Sequence, residues 1–138
     1  MFSIGTLSER TGVKVPTIRY YETMGLLPEA ERTAGNQRRY PRAGLDRLGF
    51  IKHARDLGFP IEAIRALIDL NDHPDKSCAA ATAITEAQLT DVRARIARLQ
   101  RLEAELTRIA QSCEGDGHAA DCSVLTALAD HDLCTTAH

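Results

Sequence analysis

The chain reads as an all-α dominated protein with three parts: a winged helix-turn-helix, a long C-terminal helix suited to dimerisation as an antiparallel coiled coil, and a short cysteine-bearing loop. Three observations predict this. Cys78 and Cys113 enclose thirty-four residues without Gly or Pro, rich in Ala, Leu, Arg, Glu and Gln, the composition of one uninterrupted helix. Two short helical patterns are split by Gly12 and followed by a Gly35-Asn36 turn signal. Cys113 and Cys122 then face each other across eight residues containing two glycines.

On the long helix, Leu89, Val92, Ile96 and Leu99 recur at 3, 4, 3 spacing, and Leu102, Leu106, Ile109 and Cys113 at 4, 3, 4. That is a coiled-coil stripe, and the step from Leu99 to Leu102 makes the seam drift around the helix. At about 1.5 Å per residue, such a helix places Cys78 and Cys113 roughly 50 Å apart in one chain. They cannot share an ion within a monomer. An antiparallel homodimer brings each Cys78 near its partner's Cys113 and makes two equivalent sites; alternatively, both cysteines are small apolar residues at the ends of a dimer helix.

At 138 residues the chain spends much of its length on one helix rather than on a core, so oligomerisation is expected. No apolar run approaches the roughly 20 residues that span a bilayer, which points to a cytoplasmic protein without membrane contact. Four cysteines in a reducing compartment are ligands or reactive thiols before they are disulfides. The net charge of -2 conceals an asymmetry: residues 1–60 hold ten Lys/Arg against six Asp/Glu, and residues 61–138 hold seven against thirteen. The basic half is the candidate for nucleic acid.

Ser3 caps a helix over Ile4 to Thr11, and Gly12 ends it. Val13 packs in the angle, and Pro16 sits at the start of "PTIRYYETMG", which stops at Gly25. This is a helix-turn-helix. Ile18 faces the core, while Thr17, Arg19, Tyr20 and Tyr21 offer contacts to bases and phosphates. "ERTAGNQRRY" reads as a hairpin turning at Gly35 and Asn36, a wing along the phosphates with Arg32, Arg38, Arg39 and Tyr40 as contacts. Pro41 opens a third helix to about Asp56, with Leu45, Leu48 and Ile51 as core and Arg42, Lys52 and Arg55 outside, Lys52 and Arg55 as further DNA contacts. The fourth begins at Pro60, and its Ile61, Ile64, Leu67 and Ile68 should pack against the long helix. "NDHPDKS" is a polar hinge leading to Cys78.

Carried by "IGTLSERTGV", "TIRYYETMGLLP", "GNQRRY" and "LGFPIEAIRALIDL" ahead of a long helix, the whole chain resembles the MerR family of transcription regulators. The resemblance implies a winged helix-turn-helix dimer, joined by an antiparallel coiled coil, on an overlong promoter spacer. Inducer binding then distorts the DNA so that RNA polymerase can use it. The sequence departs from the family at Gln37, where an aromatic residue is frequent, and at Lys14 and Val15, where a hydroxyl cap is frequent.

The loop after Cys113 can bring that sulfur and Cys122 to one ion, and Ser123 can start a short helix through Val124, Leu125 and Leu128. Cys122 then lies beside a helix N-terminus, which favours the thiolate. Cys113 and Cys122 of one chain with Cys78 of the other suit Zn(II), Cd(II), Pb(II) or Hg(II). The resemblance implies a divalent reader, since the position of Cys78 is commonly serine in readers of monovalent ions. His118 lies in the loop as in zinc readers of the family, a candidate further ligand, whereas Glu114 stands where those carry a second cysteine. His131, Cys134 and His138 read as a disordered end.

The expected organisation is a DNA-binding domain at 1–71, a hinge and coiled-coil dimerisation helix at 72–112, and a metal-binding loop, short helix and tail at 113–138. The expected function is metal-responsive activation of transcription from a palindromic promoter operator, zinc first among inducers, governing metal efflux or resistance. The rival from another class is a coiled-coil interaction protein with a structural zinc. Iron-sulfur sensing lacks its four grouped cysteines, drug sensing lacks room for a ligand domain, and no nucleophile with a base points to an enzyme.

Overall fold

Ser3 and Gly12 bracket the first helix, α1 (Ile4–Thr11). The Ser3 hydroxyl accepts the Thr6 amide at 3.1 Å, and Gly12, left-handed at φ 76°, donates to Ser8 O at 2.9 Å. The turn is tied by Thr11, whose Oγ1 donates to Leu7 O and accepts the Val13 amide. α2 (Val15–Thr23) follows, with Lys14 as an N-cap that makes no side-chain bond, so its start rests on Pro16 and on packing. These residues belong to a computed structural model that describes 1–112 and 117–130. Cys113 and Glu114, with His131, Cys134 and His138, lie outside the described residues.

The wing is a two-stranded antiparallel hairpin, β1 (Glu31–Arg32) and β2 (Arg38–Arg39), with Arg32 opposite Arg38. Its turn closes through the Asn36 amide to Thr33 O at 2.8 Å. The left-handed residue is Asn36, at φ 62°, rather than Gly35; asparagine tolerates that region because its short side chain bonds locally. α3 (Arg42–Asp56) and α4 (Ile61–Asn71) complete the helices of the first unit, Met1–Thr85. Its core holds Leu7, Ile18, Leu26, Tyr40, Leu48, Ile51 and Ile64, all fully buried, each contributing about 1.5 to 3 kcal/mol by leaving water. Ile61 and Leu67 pack on this core, and so does Ile84 from the start of the long helix.

That helix, α5, runs unbroken over Ala79–Gln111, so the sequence locates it closely. In the second unit, Glu86–His138, a 3-10 turn over Ala119–Asp121 and α6 (Ser123–Ala129) follow. Along α5, Leu89, Ile96, Leu99 and Leu106 are 44, 49, 61 and 63 % exposed, with Val92 and Leu102 half-buried. Ile109 differs from the other seam residues: it is buried within its own chain, so it packs the second unit rather than waiting for a partner. Nearby, buried Glu105 pairs with Arg108 at 3.0 Å. Among the described residues no helix is long and apolar enough to cross a membrane.

Tyr40 corrects the expectation of a wing contact to DNA. It forms an isolated bridge with Phe2, through amide bonds of 2.8 and 2.7 Å, and this turns its ring into the core. Its hydroxyl donates to Glu22 Oε2 at 2.7 Å. A fully buried ring cannot touch a phosphate. Burial foremost, and then the hydrogen bond and charge of Glu22, raise its pKa above the ordinary tyrosine value. The neutral form is therefore favoured in the fold, so the stability tied to Tyr40 is complete below about pH 10, the unfolded value, and lost as pH rises beyond it. Tyr40→Phe should cost about 1 to 2 kcal/mol near neutral pH by removing a bond to a carboxylate. It should also flatten the alkaline loss of stability, as denaturant titrations between pH 8 and 11 would show.

Candidate nucleic-acid interface and metal centre

A groove of about 580 Å³ opens between the start of α1, α2 and the wing, lined by Ser3, Ile4, Arg19, Gln37, Arg38 and Arg39. It carries three guanidinium groups and no acid. Arg19 projects from α2, exposed, and its guanidinium has no bonded partner among the described residues. The wing arginines are held by their own chain: Arg39 donates to Gln37 Oε1 at 3.0 Å, Arg32 to Asn36 O at 3.2 Å, and Arg38 lies 3.6 Å from Glu22 Oε2. Such a concentration of planar donors on one face fits phosphates and base edges.

Thr17 is half-buried on α2, and Tyr20 is exposed. Tyr21 is buried against the expectation of a nucleic-acid contact, its ring 6.1 Å from that of Tyr20. Neighbouring positions on a helix diverge by about 100°, so one tyrosine faces out and the other in. Lys52 and Arg55 are not brought to the groove. Lys52 Nζ binds both Asp56 oxygens at 2.7 and 2.8 Å in a recess it shares with Arg10, Asp46 and His53. Arg55 donates to Phe59 O at 3.0 Å and steadies the turn between α3 and α4. The sequence reading missed Glu22, the shared partner of Tyr40 and Arg38; its only signal was a lone acid beside the aromatic pair.

Cys78, exposed at the head of α5, accepts the Thr82 amide on its carbonyl at 3.0 Å. It borders a recess of about 330 Å³ with Phe50, Leu67, His73 and Lys76. Lys76 Nζ and His73 Nδ1 both reach Asp69, at 3.3 and 3.6 Å, and Arg47 pairs with Asp72, fixing the segment before the cysteine. In the second unit Cys122 is half-buried as the N-cap of α6, its carbonyl accepting the Thr126 amide at 3.1 Å. His118, exposed, precedes the 3-10 turn. Among the described residues no three of His, Cys, Asp and Glu gather into a metal-binding group. The two described thiols, Cys78 and Cys122, each stand at the start of a helix, and a thiolate is a soft donor that suits thiophilic ions.

Comparison with known proteins gives two family models: "MerR HTH family regulatory protein" matches residues 2–70 and "MerR, DNA binding" matches residues 45–109. The HTH-type transcriptional regulator ZntR of Escherichia coli K12 is 40 % identical over 130 residues, 93 % of this chain and 92 % of that protein. Among solved structures, the transcription regulator PbrR691 from Ralstonia metallidurans CH34, in complex with lead(II), is 36 % identical. It superposes with a TM-score of 0.78, covering 93 % of this chain and 99 % of the other. The dual function regulator MerR from Bacillus megaterium MB1, in complex with mercury(II), is 32 % identical with a TM-score of 0.67 over 94 % and 100 %.

The groove geometry sets an expectation for its arginines. Arg19→Ala and Arg38→Ala should each weaken binding of duplex DNA by about 1 to 3 kcal/mol where the arginine meets a base edge, and by less at a single phosphate. Gel-shift titrations check this; unchanged affinity in both variants would remove the groove from the interface.

Proposed function

The chain belongs to the MerR family of helix-turn-helix regulatory proteins, and we propose that within it the chain is a metal-responsive transcription regulator of the divalent type. Residues 1–71 bind a palindromic promoter operator in the cytoplasm, 72–112 pair two chains, and 113–138 complete the sensor. The observation that carries this reading is the exposed aliphatic stripe of α5, which has Cys78 immediately before its first residue. Burying Leu89, Val92, Ile96, Leu99, Leu102 and Leu106 against a second, antiparallel copy joins the partner subunit's Cys78 to Cys113 and Cys122. These three cysteines would hold a thiophilic divalent ion, Zn(II) first, with Cd(II), Pb(II) and Hg(II) as alternatives, which would supply soft Lewis-acid binding of thiolates. His118 is a further donor from the loop.

The protein's own part is geometric. Cys78 follows a segment fixed by the Asp69 and Asp72 ion pairs, so a pull on its sulfur is felt where α3 and α4 meet that segment. With Arg19 and the wing arginines on the same unit, a change in the operator's shape follows, which RNA polymerase then reads. Metal dependence arises because the thiol donors act together and only in the dimer.

Two outcomes are expected. Ile96→Glu places a carboxylate in the seam and should cost on the order of 3 to 5 kcal/mol of dimer stability, with metal affinity falling alongside, by sedimentation and competition with a chromophoric chelator. Reporter expression from the chain's own promoter region, over Zn, Cd, Pb, Hg, Co and Cu salts, should rise with divalent thiophilic ions. Cys78→Ser, Cys113→Ser or Cys122→Ser should abolish the rise. A metal-independent reporter would favour the rival, a coiled-coil interaction protein with a structural zinc.

A further inference from the structure

We propose that Glu22 is a positioning residue for DNA recognition: its carboxylate ties Arg38 of the wing to the reading helix α2, weakening non-specific attraction while fixing the register that specificity needs. The inference rests on the DNA-binding reading of the groove. Glu22 is the last acid of α2, with only 17 % of its side chain exposed. One oxygen, Oε2, both accepts the Tyr40 hydroxyl at 2.7 Å and lies 3.6 Å from Arg38 Nη1. Three parts of the unit therefore converge on one atom: α2, β2 and the Phe2–Tyr40 bridge.

A carboxylate behind a groove of three arginines is the wrong charge for a surface shaped by phosphate attraction alone, since each cation it offsets releases fewer counterions on binding. What it supplies is order. An untethered arginine loses rotamer freedom when it binds, whereas Arg38 is already aimed. The other wing arginines are tethered within the hairpin, Arg39 to Gln37 and Arg32 to Asn36. Of these three, only Arg38 is tethered to the reading helix, and only its tether carries charge. The hairpin tethers lie within the wing; the Glu22 tether reaches from it to α2.

Glu22→Gln separates the charge from the fold, because its amide oxygen still accepts from Tyr40. Affinity would be measured by fluorescence anisotropy over a salt series, for a duplex carrying the inverted repeat of the chain's own promoter region and for an unrelated duplex of equal length. The variant should bind the unrelated duplex about threefold more tightly, with a steeper salt dependence, and its ratio of specific to non-specific affinity should fall roughly three- to tenfold. Its thermal midpoint should stay close to wild type. Tyr40→Phe serves as the structural control: it keeps the Glu22 charge but removes a hydroxyl that touches both Glu22 and Arg38, so its midpoint should fall while its ratio falls by much less than that of Glu22→Gln. A wild-type preference for the repeat that survives Glu22→Gln would overturn this proposal alone, as would an equal loss of preference in Tyr40→Phe. A wild-type protein with no preference would overturn the DNA-binding reading and this proposal with it.

Discussion

Leu89, Ile96, Leu99 and Leu106 leave between 44 and 63 % of their surface uncovered on one continuous helix, and removing them from water is the requirement that the rest of the structure turns on. Each buried aliphatic side chain is worth about 1.5 to 3 kcal/mol, far more than any surface ion pair on α5, such as Arg95 with Asp91 at 3.0 Å. In the proposed dimer a second copy of the helix, running antiparallel, supplies that cover. In that proposed dimer, sensor geometry would follow from the same contact that stabilises the assembly, with Cys78 at the head of one helix brought to the tail of the other. On that proposal, metal binding and dimerisation would form one linked equilibrium.

The first unit is built on the opposite plan. A buried cluster of its apolar residues is covered by its own helices, and much of the charge it presents outward is arranged by short tethers. Arg47 to Asp72, Arg65 to Met24 O at 2.9 Å and Arg55 to Phe59 O fix the edges of α3 and α4, and the groove arginines are left facing outward.

How much of this was legible in the sequence depended on the range of the interaction. Ser3, Gly12 and the Gly-free run of α5 act within a few residues, and the elements they predict are present. Asn36, not Gly35, takes the left-handed position because two permissive residues stood side by side and only the hairpin register chose between them. Tyr40 was misplaced because its direction is set by Phe2, thirty-eight positions away. Ile109 followed the stripe's period, yet period identifies a face and not what covers it. The Lys52–Asp56 pair was readable at i, i+4 spacing. Glu22 was not, since its partners lie sixteen and eighteen residues on. For the sulfur donors the sequence supplies residue types and spacing alone, and the proposed meeting of Cys78 with Cys113 and Cys122 rests on a second chain, which no local signal encodes.

The central claim is that each sensor is shared between chains, and co-expression of two inactive variants tests it most directly. One carries Cys78→Ser; the other carries Cys113→Ser with Cys122→Ser. In an antiparallel mixed dimer, one end unites all three native thiols and the other retains none. Differently tagged heterodimers, purified and titrated with Cd(II), should recover about half the wild-type sulfur-to-metal charge-transfer absorbance, while neither homodimer does so, because a hydroxyl replaces a soft thiolate ligand. Absorbance near zero from a folded heterodimer would contradict the shared site and with it this account of sensing.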